Sequence, residues 1–319
     1  MRFLTNPSTD PWYNMSFDEY CLERYSPDDS YFYLWRNRPS VIIGLNQNAY
    51  SEVNLGFLRE RGILLARRVT GGGAVYHDLQ NLNYSFVGRG ELTPQPMVDA
   101  LRRLGVDAEL TGRNDIYVGG RKVSGYARRV WHDRQIIHGT LMYDVDLDTL
   151  TRALDVPGSK LSAKGIASVR SRVANLKEFL PRTASVEELQ RALQEILAGG
   201  DGELPFDEVR RTEVQRIADG KFATWEWIYG RSKEADVVRT SQLACGRIEA
   251  RICLDRGRIR SLDFGGDFLG DLPAGQLAAR LSDLRFDRDV LSEALGGADV
   301  GRYFEGVTPE GLLDLFFGV

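Results

Sequence analysis

The stretch RRVTGGGAVYHD, residues 67–78, sets three consecutive glycines between two arginines and a histidine-aspartate pair. Glycine permits positive φ and lets a ligand lie against the backbone, and the N–H groups of such a loop can bind an anion. Arg68 adds a planar fork of donors for a carboxylate or phosphate. The spacing matches neither GxGxxG nor GxxxxGK[ST]. These residues predict a ligand-binding loop, with a flexible hairpin connection and a solvated strand-end arginine as the alternatives.

A second candidate is the segment GRNDIYVGGRKVSGYA, which has a two-residue turn signal at Gly119-Gly120. A turn there pairs Asp115 with Ser124 and makes Lys122 a diagonal neighbour of Asp115 on the same face. A carboxylate that can hold a metal would then lie near an ammonium that can neutralise charge on a phosphoryl group. The alternative is a surface ion pair on a solvated hairpin.

Two further segments carry residues that can do chemistry. In QIIHGTLMYDVDL, apolar residues flank His138, which predicts a central and partly buried strand. A hydrogen-bonded core histidine is the alternative to a functional one. In KGIASVRSRVANL, the cations Lys164, Arg170 and Arg172 form either a phosphate-contacting loop or a solvated charge run.

Predicted strands and helices, which would hold these residues in place, alternate unevenly along the chain. SVIIGL, ILLARRV and LNYSFV predict strands, because they are short aliphatic runs or alternate apolar with polar residues. PMVDALRRLG predicts a helix that stops at Gly105, and Ser185 with Glu188 predicts a capping box at the start of another. After WEWIYGRS the pattern changes to a hairpin over 247–264 and further helices. We expect a mixed α/β (α+β) protein with a small second domain from about residue 239.

Size and composition limit the functional class. A length of 319 residues suits one large and one small domain. The net charge of -4 argues against broad nucleic-acid binding. No window approaches the roughly 20 apolar residues that span a bilayer, and the N-terminus lacks the apolar region of a signal peptide. We therefore expect a cytoplasmic protein that does not bind membranes. The three widely spaced cysteines predict neither disulfides nor a zinc site.

In order and type, several motifs resemble the lipoate protein ligase A family of the two-domain bacterial type. They are DPWYNMSFDEY, RRVTGGGAVYHDLQN, GRNDIYVGGRKVSG, HGTLMYDVDL, KGIASVRSRVANL and WEWIYGRS. The resemblance implies a catalytic domain of the class II aminoacyl-tRNA synthetase and biotin protein ligase type over residues 1–238, and a small α+β accessory domain over 239–319. Octanoyl transferases on this scaffold typically lack the second domain and use a cysteine nucleophile, and no cysteine lies between Glu23 and Ala244.

The resemblance implies chemistry in two steps. Lipoate and ATP, with Mg²⁺, give lipoyl-AMP and pyrophosphate, and the lipoyl group then passes to a specific lysine. The implied acceptors are lipoyl domains of 2-oxoacid dehydrogenase acyltransferase subunits, the glycine cleavage H protein, or both. A carboxylic acid with a pKa of about 4 to 5 is ionised near neutral pH, so the first step needs alignment and charge neutralisation more than a base.

The resemblance also implies roles for individual residues. Lys122 would contact the lipoyl carboxyl oxygen and the α-phosphate, and Asp115 would be a second catalytic residue and the Mg²⁺ ligand. The expected ATP-binding and adenylate-binding residues are Arg68, Gly73, Ala74, Val75, Tyr76, Asn114 and Lys122. The expected lipoate-binding residues are Gly71, Gly72, His77, Lys122 and His138.

Several questions stay open at this point. The base that deprotonates the acceptor lysine is either the adenylate phosphate or Asp115. Tyr126 stands where the family usually has a smaller residue, and we expect it to narrow the pocket. The alternative functions are an ATP-independent lipoyl or octanoyl transferase, a degenerate binding protein and a biotin ligase. Retention of Arg68, the glycine run and Lys122 argues against a degenerate protein, and the biotin-type glycine pattern is missing.

Overall fold

The computed structural model describes residues 1–25, 27, 30–112, 114–154, 172–180, 185–230, 237–255 and 257–318. Within them the chain forms one seven-stranded sheet and two three-stranded sheets. Lys164 and Arg170, two of the predicted phosphate-contacting candidates, lie outside the described residues. None of the helices in these ranges combines the length and the apolar character needed to cross a membrane.

The seven-stranded sheet is antiparallel except at one edge. Its strands follow the order β1 (Arg2–Phe3), β2 (Tyr31–Arg36), β6 (Asn81–Arg89), β10 (Arg134–Met142), β9 (Arg121–Trp131), β8 (Asp115–Val118) and β7 (Ala108–Thr111). β1 pairs with β2 in parallel. Nearly every residue of β6 and β10 is buried, as expected for strands covered on both faces.

The two smaller sheets have three strands each. One follows the order β4 (Leu64–Arg67), β3 (Ser40–Ile43) and β5 (Val75–His77), with β3 parallel to β4 and antiparallel to β5. The other is fully antiparallel and follows the order β11 (Val237–Leu243), β12 (Gly246–Asp255) and β13 (Arg258–Gly266). The predicted hairpin over 247–264 is thus formed by β12 and β13.

Helices cover these sheets. They are α1 (Pro11–Glu23), α2 (Ala49–Glu52), α3 (Leu55–Arg61), α4 (Gln95–Arg103), α5 (Leu147–Leu154), α6 (Val186–Ala198), α7 (Glu208–Ile217), α8 (Trp225–Ile228), α9 (Ala274–Leu281), α10 (Arg288–Gly296) and α11 (Pro309–Phe317). Two 3-10 turns lie at Leu176–Glu178 and Val300–Arg302, and a π turn lies at Ala218–Phe222.

Each face of the large sheet has its own apolar core. Helices α4 and α6 cover one face, where Leu101 and Leu193 pack in the same cluster as Phe86. Helices α1 and α7 cover the other face, where Phe17 packs edge-on against Tyr33. Each such fully buried side chain stabilises the fold by about 1.5–3 kcal/mol. Residues 237–318 bury a separate apolar cluster between their sheet and helices α9, α10 and α11.

Helix α1 carries polar residues into the interior. It begins at Pro11 after the N-cap Asp10, whose carboxylate accepts hydrogen bonds from two backbone N–H groups of the first turn. Asn14 and Asp18 lie four residues apart, on one face of the helix, and both are 1% exposed. Buried polar side chains need hydrogen-bond partners, so this face of α1 must contact other polar groups.

The strands and helices predicted from local sequence patterns are present in the structure. SVIIGL and ILLARRV contain β3 and β4, LNYSFV lies within β6, and PMVDALRRLG contains most of α4. The Ser185 hydroxyl accepts from the Glu188 N–H, and the Glu188 carboxylate accepts from the Ser185 N–H at 2.7 Å, which is the predicted capping box. Each of these patterns is local, so it needs little help from distant residues.

The β8–β9 hairpin forms as predicted near its turn and differs further along. Tyr117 faces Lys122, as expected. Asp115 lies opposite Gly125, so the predicted pairing of Asp115 with Ser124 was wrong. The cause is a β-bulge, which puts one extra residue into β9 and shifts every pair beyond it by one position.

Candidate active site

A cavity of about 150 Å³ lies between the seven-stranded sheet and the β4-β3-β5 sheet. Its lining comes from α1, from the inner faces of both sheets and from the loop that holds the three glycines. Pockets for whole small molecules usually measure about 300–1,000 Å³. A cavity of this volume therefore suits a slender chain better than a complete nucleotide.

One row of residues crosses the floor of this cavity. Trp35 on β2 faces Asn83 on β6, and Asn83 faces Thr140 on β10. The Gly125 N–H on β9 donates to the Thr140 hydroxyl at 3.3 Å. Neighbouring strands lie about 4.8 Å apart, so three steps make the row about 14 Å long. An extended chain can lie along it with one end at β9 and the other at β2.

Lys122 and Asp115 form an ion pair at the β9 end of the row. The Lys122 Nζ lies 2.7 Å from the Asp115 Oδ1, which confirms the predicted proximity. A Cβ at Gly125 would lie 3.1 Å from the ammonium and 3.6 Å from the carboxylate, so glycine leaves room for the pair. The Lys122 side chain is 34% exposed, which leaves the ammonium accessible to an anionic ligand.

Arg68 is buried, and its guanidinium holds the glycine loop. It donates to the carbonyl oxygens of Gly71 and Gly73 at 2.6 and 2.8 Å and to the Ile42 carbonyl at 3.1 Å. Burial lowers the pKa of Arg68 to about 10, so it still carries its charge near neutral pH. The solvated strand-end alternative was therefore wrong, because the side chain points inward and organises the loop.

His138 lies in a buried hydrogen-bond network. Its Nδ1 is 2.6 Å from the Asp18 Oδ2, and its Nε2 is 2.7 Å from the Thr70 Oγ1. The other oxygen of Asp18 accepts from the hydroxyls of Tyr33 and Ser85 at 2.6 and 3.0 Å. The predicted central strand is confirmed, and His138 is both a hydrogen-bonded core residue and part of the cavity wall.

Thr70 joins this network to the glycine loop. Its hydroxyl oxygen contacts His138 and also accepts from the Arg68 Nε at 3.0 Å. Neither Thr70 nor Asp18 was predicted from the sequence as a site residue. The spacing of Asp18 could have indicated it. Asp18 follows Asn14 by four residues in a capped helix, and polar residues at that spacing share one face.

His77 lines the cavity from the opposite sheet. Its Nδ1 lies 3.0 Å from the Asn37 Nδ2, and its ring meets the Trp35 ring edge-on at 6.1 Å between centroids. Its Nε2 is buried and has no hydrogen-bond partner in the described part of the chain. Burial, followed by the nearby charges of Arg68 and His138, lowers the pKa of His77 to about 3. The ring is therefore neutral at ordinary pH.

The three glycines have different surroundings. Gly72 has a φ of +87°, which glycine alone adopts without strain, and its N–H donates to the Phe268 carbonyl at 3.0 Å. A Cβ at Gly71 would overlap the same carbonyl oxygen. Gly73 has space, because the nearest atom to its Cβ position is 3.9 Å away, in Asp267. The backbone of Phe268, which belongs to the same chain, thus comes close to this loop.

The cavity brings most of the predicted site residues together. Those in its lining are Arg68, Gly72, Gly73, Ala74, Val75, His77, Asn114, Lys122 and His138. Gly71 lies against Phe268, and Tyr76 is buried in the apolar core of the β4-β3-β5 sheet. Asn114 donates from its amide to the Tyr126 carbonyl at 2.7 Å, which ties the start of β8 to β9.

Arg67 links the segment WEWIYGRS to the strand that precedes the glycine loop. Its side chain is 1% exposed, and its guanidinium donates to several backbone carbonyls. Two of these belong to Trp227 and Ile228, at 2.9 and 2.6 Å, and the Trp227 indole donates back to the Arg67 carbonyl at 3.0 Å. Helix α8 is therefore fastened to the strand that leads into the loop.

The residues near Lys122 suit a loosely held divalent cation and not a caged one. No group of three or more metal-binding side chains occurs in the part of the chain that the structure describes. Asp115 supplies one carboxylate, which Lys122 already contacts. Mg²⁺ is commonly bound by one or two carboxylates together with substrate phosphates, so Asp115 fits as a single ligand to an ion that arrives with a nucleotide.

Comparison with protein families matches the chain twice. Residues 10–198 match the model for the lipoyl protein ligase A/B catalytic domain, and residues 232–316 match the model for the bacterial lipoate protein ligase C-terminus. The lipoate-protein ligase LplJ of Bacillus subtilis is 37% identical over 99% of this chain and 100% of its own length.

Three solved structures are similar. The Plasmodium falciparum protein LipL1 in complex with lipoate aligns with a TM-score of 0.82 at 25% identity, over 98% of this chain and 97% of that one. A bi-partite lipoate protein ligase of Thermoplasma acidophilum, described with its E2 lipoyl domain, aligns with a TM-score of 0.65 at 31% identity, over 74% and 98%. A lipoate-protein ligase A bound with ATP aligns with a TM-score of 0.61 at 30% identity, over 72% and 98%.

Proposed function

Because this chain belongs to the lipoate-protein ligase family, we propose that its cavity holds the acyl chain of lipoate with the carboxyl group at Lys122. The protein is an ATP-dependent ligase that forms lipoyl-AMP and then transfers the lipoyl group to a protein lysine. The observation that carries the assignment of the site is an accessible ammonium at one end of a narrow row about 14 Å long. The bound lipoate and ATP of the similar structures support it.

In the first step a lipoate carboxylate oxygen bonds to the α-phosphorus of ATP, and the bond from that phosphorus to pyrophosphate breaks. Negative charge grows on the phosphoryl oxygens during this exchange. The Lys122 ammonium and the buried positive charge of Arg68 stabilise it electrostatically, and hydrogen bonds to the glycine loop hold Arg68 in place before the reaction. Asn114 and the backbone from Gly73 to Tyr76 complete the adenylate site in this proposal.

Mg²⁺ belongs to the same proposal. When bound, it would neutralise charge on the pyrophosphate leaving group. Asp115 is the residue placed to hold it, and Lys122 would then turn from Asp115 toward the carboxylate and the α-phosphate. Lipoate itself would lie against Gly71, Gly72, His77 and His138.

In the second step an acceptor lysine amine bonds to the lipoyl carbonyl carbon, and AMP leaves. The amine must first lose a proton, since only about one lysine in a thousand or fewer is neutral at pH 7. Asp115 and the adenylate phosphate are the candidate bases. Acyl transfer from preformed lipoyl-AMP in an Asp115→Asn variant decides between them, because an undiminished rate would remove Asp115 from this step.

The partners follow from the same reaction. The similar Thermoplasma ligase is described with its E2 lipoyl domain, which supports lipoyl domains of acyltransferase subunits as acceptors. We also propose the glycine cleavage H protein as an acceptor, a cytoplasmic location, and a division into a catalytic domain over 1–238 and an accessory domain over 239–319. Tyr126 lines the cavity, and a change of octanoate-to-lipoate preference in Tyr126→Ser would support its role in narrowing the pocket.

The central experiment mixes the protein with lipoate, Mg²⁺-ATP and a lipoyl acceptor domain. We expect pyrophosphate release and an increase in acceptor mass, with the rate reduced at least about 100-fold in Lys122→Ala because a charge that stabilises the transition state is lost. Lys177→Ala is the matched control, since Lys177 also pairs with an aspartate, Asp144, but on the surface. Its activity should equal that of the parent.

One outcome would contradict the ligase, and another would contradict only the position of its active site. Acceptor modification only when an acylated donor protein replaces ATP and lipoate would make the protein a transferase. An active Lys122→Ala variant would move the chemistry away from the β9 end of the cavity, even if the protein is a ligase.

A further inference from the structure

A chain of buried asparagines leads from the N-terminal segment to His77. The Ser8 N–H donates to the Asn6 Oδ1, and the Asn6 Nδ2 donates to the Asn14 Oδ1 at 2.9 Å. The Asn14 Nδ2 donates to the Asn37 Oδ1 at 2.7 Å, and the Asn37 Nδ2 lies 3.0 Å from the His77 Nδ1. The amide nitrogen of Asn6 thus donates to Asn14, and the amide nitrogen of Asn14 donates to Asn37.

Backbone groups fix that direction. The Asn14 Nδ2 also contacts the carbonyl oxygens of Ser8 and Arg36 at 3.1 and 3.0 Å, and a carbonyl can only accept. The nitrogen of Asn14 must therefore point toward Asn37, whose oxygen must accept and whose nitrogen must donate to His77. The Nδ1 of His77 is thus the acceptor, and the proton of the neutral ring is on Nε2.

That Nε2–H has no partner in the described part of the chain. His77 is 3% exposed and Nε2 is buried, so the donor is held in the cavity wall without a protein acceptor. An unsatisfied buried donor is costly, and native structures keep few of them. A donor retained in the wall of a ligand cavity is best explained by an acceptor on the ligand.

His77 lies at the end of the cavity away from Lys122. It contacts Trp35, the last residue of the row that starts at Gly125 beside Lys122. Met15 and Ile42 line the same cavity and supply apolar surface for an acyl chain. If the carboxyl group of lipoate is at Lys122, as the proposed function has it, the far end of the acyl chain reaches His77. In lipoate that end carries the two ring sulfurs.

We propose that the His77 Nε2–H donates to a sulfur of the dithiolane ring, so that His77 selects lipoate over plain fatty acids. Sulfur is a weak acceptor, but octanoate offers none and would bury the N–H unsatisfied. The asparagine chain keeps the ring in the donating tautomer. This inference rests on the proposed function, because it needs the carboxyl group at the Lys122 end.

The first test is ¹⁵N NMR of the histidine rings in the intact protein. The chain has three histidines, and the His77 signals are those missing in His77→Gln. We expect Nε2 to be protonated and Nδ1 unprotonated from pH 5 to 8. Lipoate should shift the Nε2 signal more than octanoate does. Equal shifts with both acids, or a proton on Nδ1, would overturn the inference.

The second test compares kcat/KM for lipoate and octanoate in adenylate formation. In His77→Phe the ring shape is kept and the donor is lost, so the preference for lipoate should fall about 5- to 20-fold. His77→Gln retains an N–H donor and should retain most of the preference. A ratio unchanged in His77→Phe contradicts the inference while the ligase stands. If neither acid is adenylated by the parent protein, the proposed function itself fails.

Discussion

At the scale of single residues, the charged and polar groups around the glycine loop are buried and are oriented by hydrogen bonds. Arg68 and Asp18 are 6% and 1% exposed, yet they do not touch each other. His138 and Thr70 lie between them and connect them by hydrogen bonds. A buried network of this kind holds its members in one geometry, because any unmade bond would leave a desolvated group.

This network predicts the effect of Asp18→Asn. A carboxylate accepts hydrogen bonds with both oxygens, whereas the amide accepts with one oxygen only. His138 and Thr70 should therefore lose hydrogen bonds that hold them, and the glycine loop should become more mobile. We expect a loss of about 1–3 kcal/mol in the free energy of unfolding and a fall of about 10-fold or more in kcat. Denaturant unfolding and steady-state kinetics measure the two effects.

The control for this variant is Glu19→Gln. Glu19 is the next residue of α1, but it pairs with Lys221 outside the cavity. If Glu19→Gln lowers kcat as much as Asp18→Asn does, Asp18 acts only through stability.

The depressed pKa of His77 predicts a pH dependence of stability. Below about pH 6.5 the unfolded chain binds a proton at this histidine, while the folded chain stays neutral down to about pH 3. The free energy of unfolding therefore falls as the pH falls through this window. Relative to His77→Gln, the parent should lose about 1.4 kcal/mol more per pH unit between pH 6 and 4. Parallel curves from urea titrations would show that His77 protonates in the folded protein.

At the scale of elements, close backbone contacts position the glycine loop. A Cβ at Gly44, just after β3, would overlap the Gly72 carbonyl oxygen. Arg67 also holds the Gly44 carbonyl at 2.9 Å, so the segment after β3 cannot move aside easily. The loop conformation therefore depends on a glycine that lies outside the glycine run.

We expect Gly44→Ala to destabilise the protein by about 1–3 kcal/mol and to reduce adenylate formation at least about 10-fold, because overpacking displaces the loop. Gly56→Ala is the matched control. Gly56 lies in α3 with ordinary φ, and the nearest atom to its Cβ position is 3.6 Å away, so alanine should stabilise by about 0.4–1 kcal/mol. Equal losses in the two variants, by thermal unfolding and pyrophosphate assay, would count against a role for Gly44 in positioning the loop.

At the scale of the whole molecule, residues 237–318 contact the glycine loop directly. The Phe268 carbonyl accepts from the Gly72 N–H, and the Asp271 carbonyl accepts from the Val130 N–H, both at 3.0 Å. The Asp271 carboxylate also pairs with Arg128. The conformation of the glycine loop is thus coupled to the C-terminal sheet and helices.

Hydrogen exchange at the Gly72 amide should report this contact. Arg128→Ala removes the ion pair with Asp271, so we expect exchange at residues 70–73 to be about two- to fivefold faster in native-state mass spectrometry. Arg89→Ala removes an exposed pair with Asp133 and serves as the control. Unchanged exchange in Arg128→Ala would mean that the backbone bonds alone hold the contact.

The fold class of the protein and its local elements were predictable from the sequence. Short strands, helix caps and two-residue turns depend on residues that are close in sequence. For this reason β3, β4, α4, the α6 cap and the Gly119-Gly120 turn were predictable. The ordered motifs determined the family, and they determined most of the cavity lining, including Lys122, Arg68 and His77.

The contacts among these residues were not predictable from the sequence and depend on the folded chain. The partners of His138, the inward direction of Arg68 and the contact between Gly72 and Phe268 join residues far apart in the chain. The bulge that places Gly125 opposite Asp115 likewise depends on packing across several strands. Local patterns carry no information about such contacts, because the free energy that selects them comes from burial of the whole core.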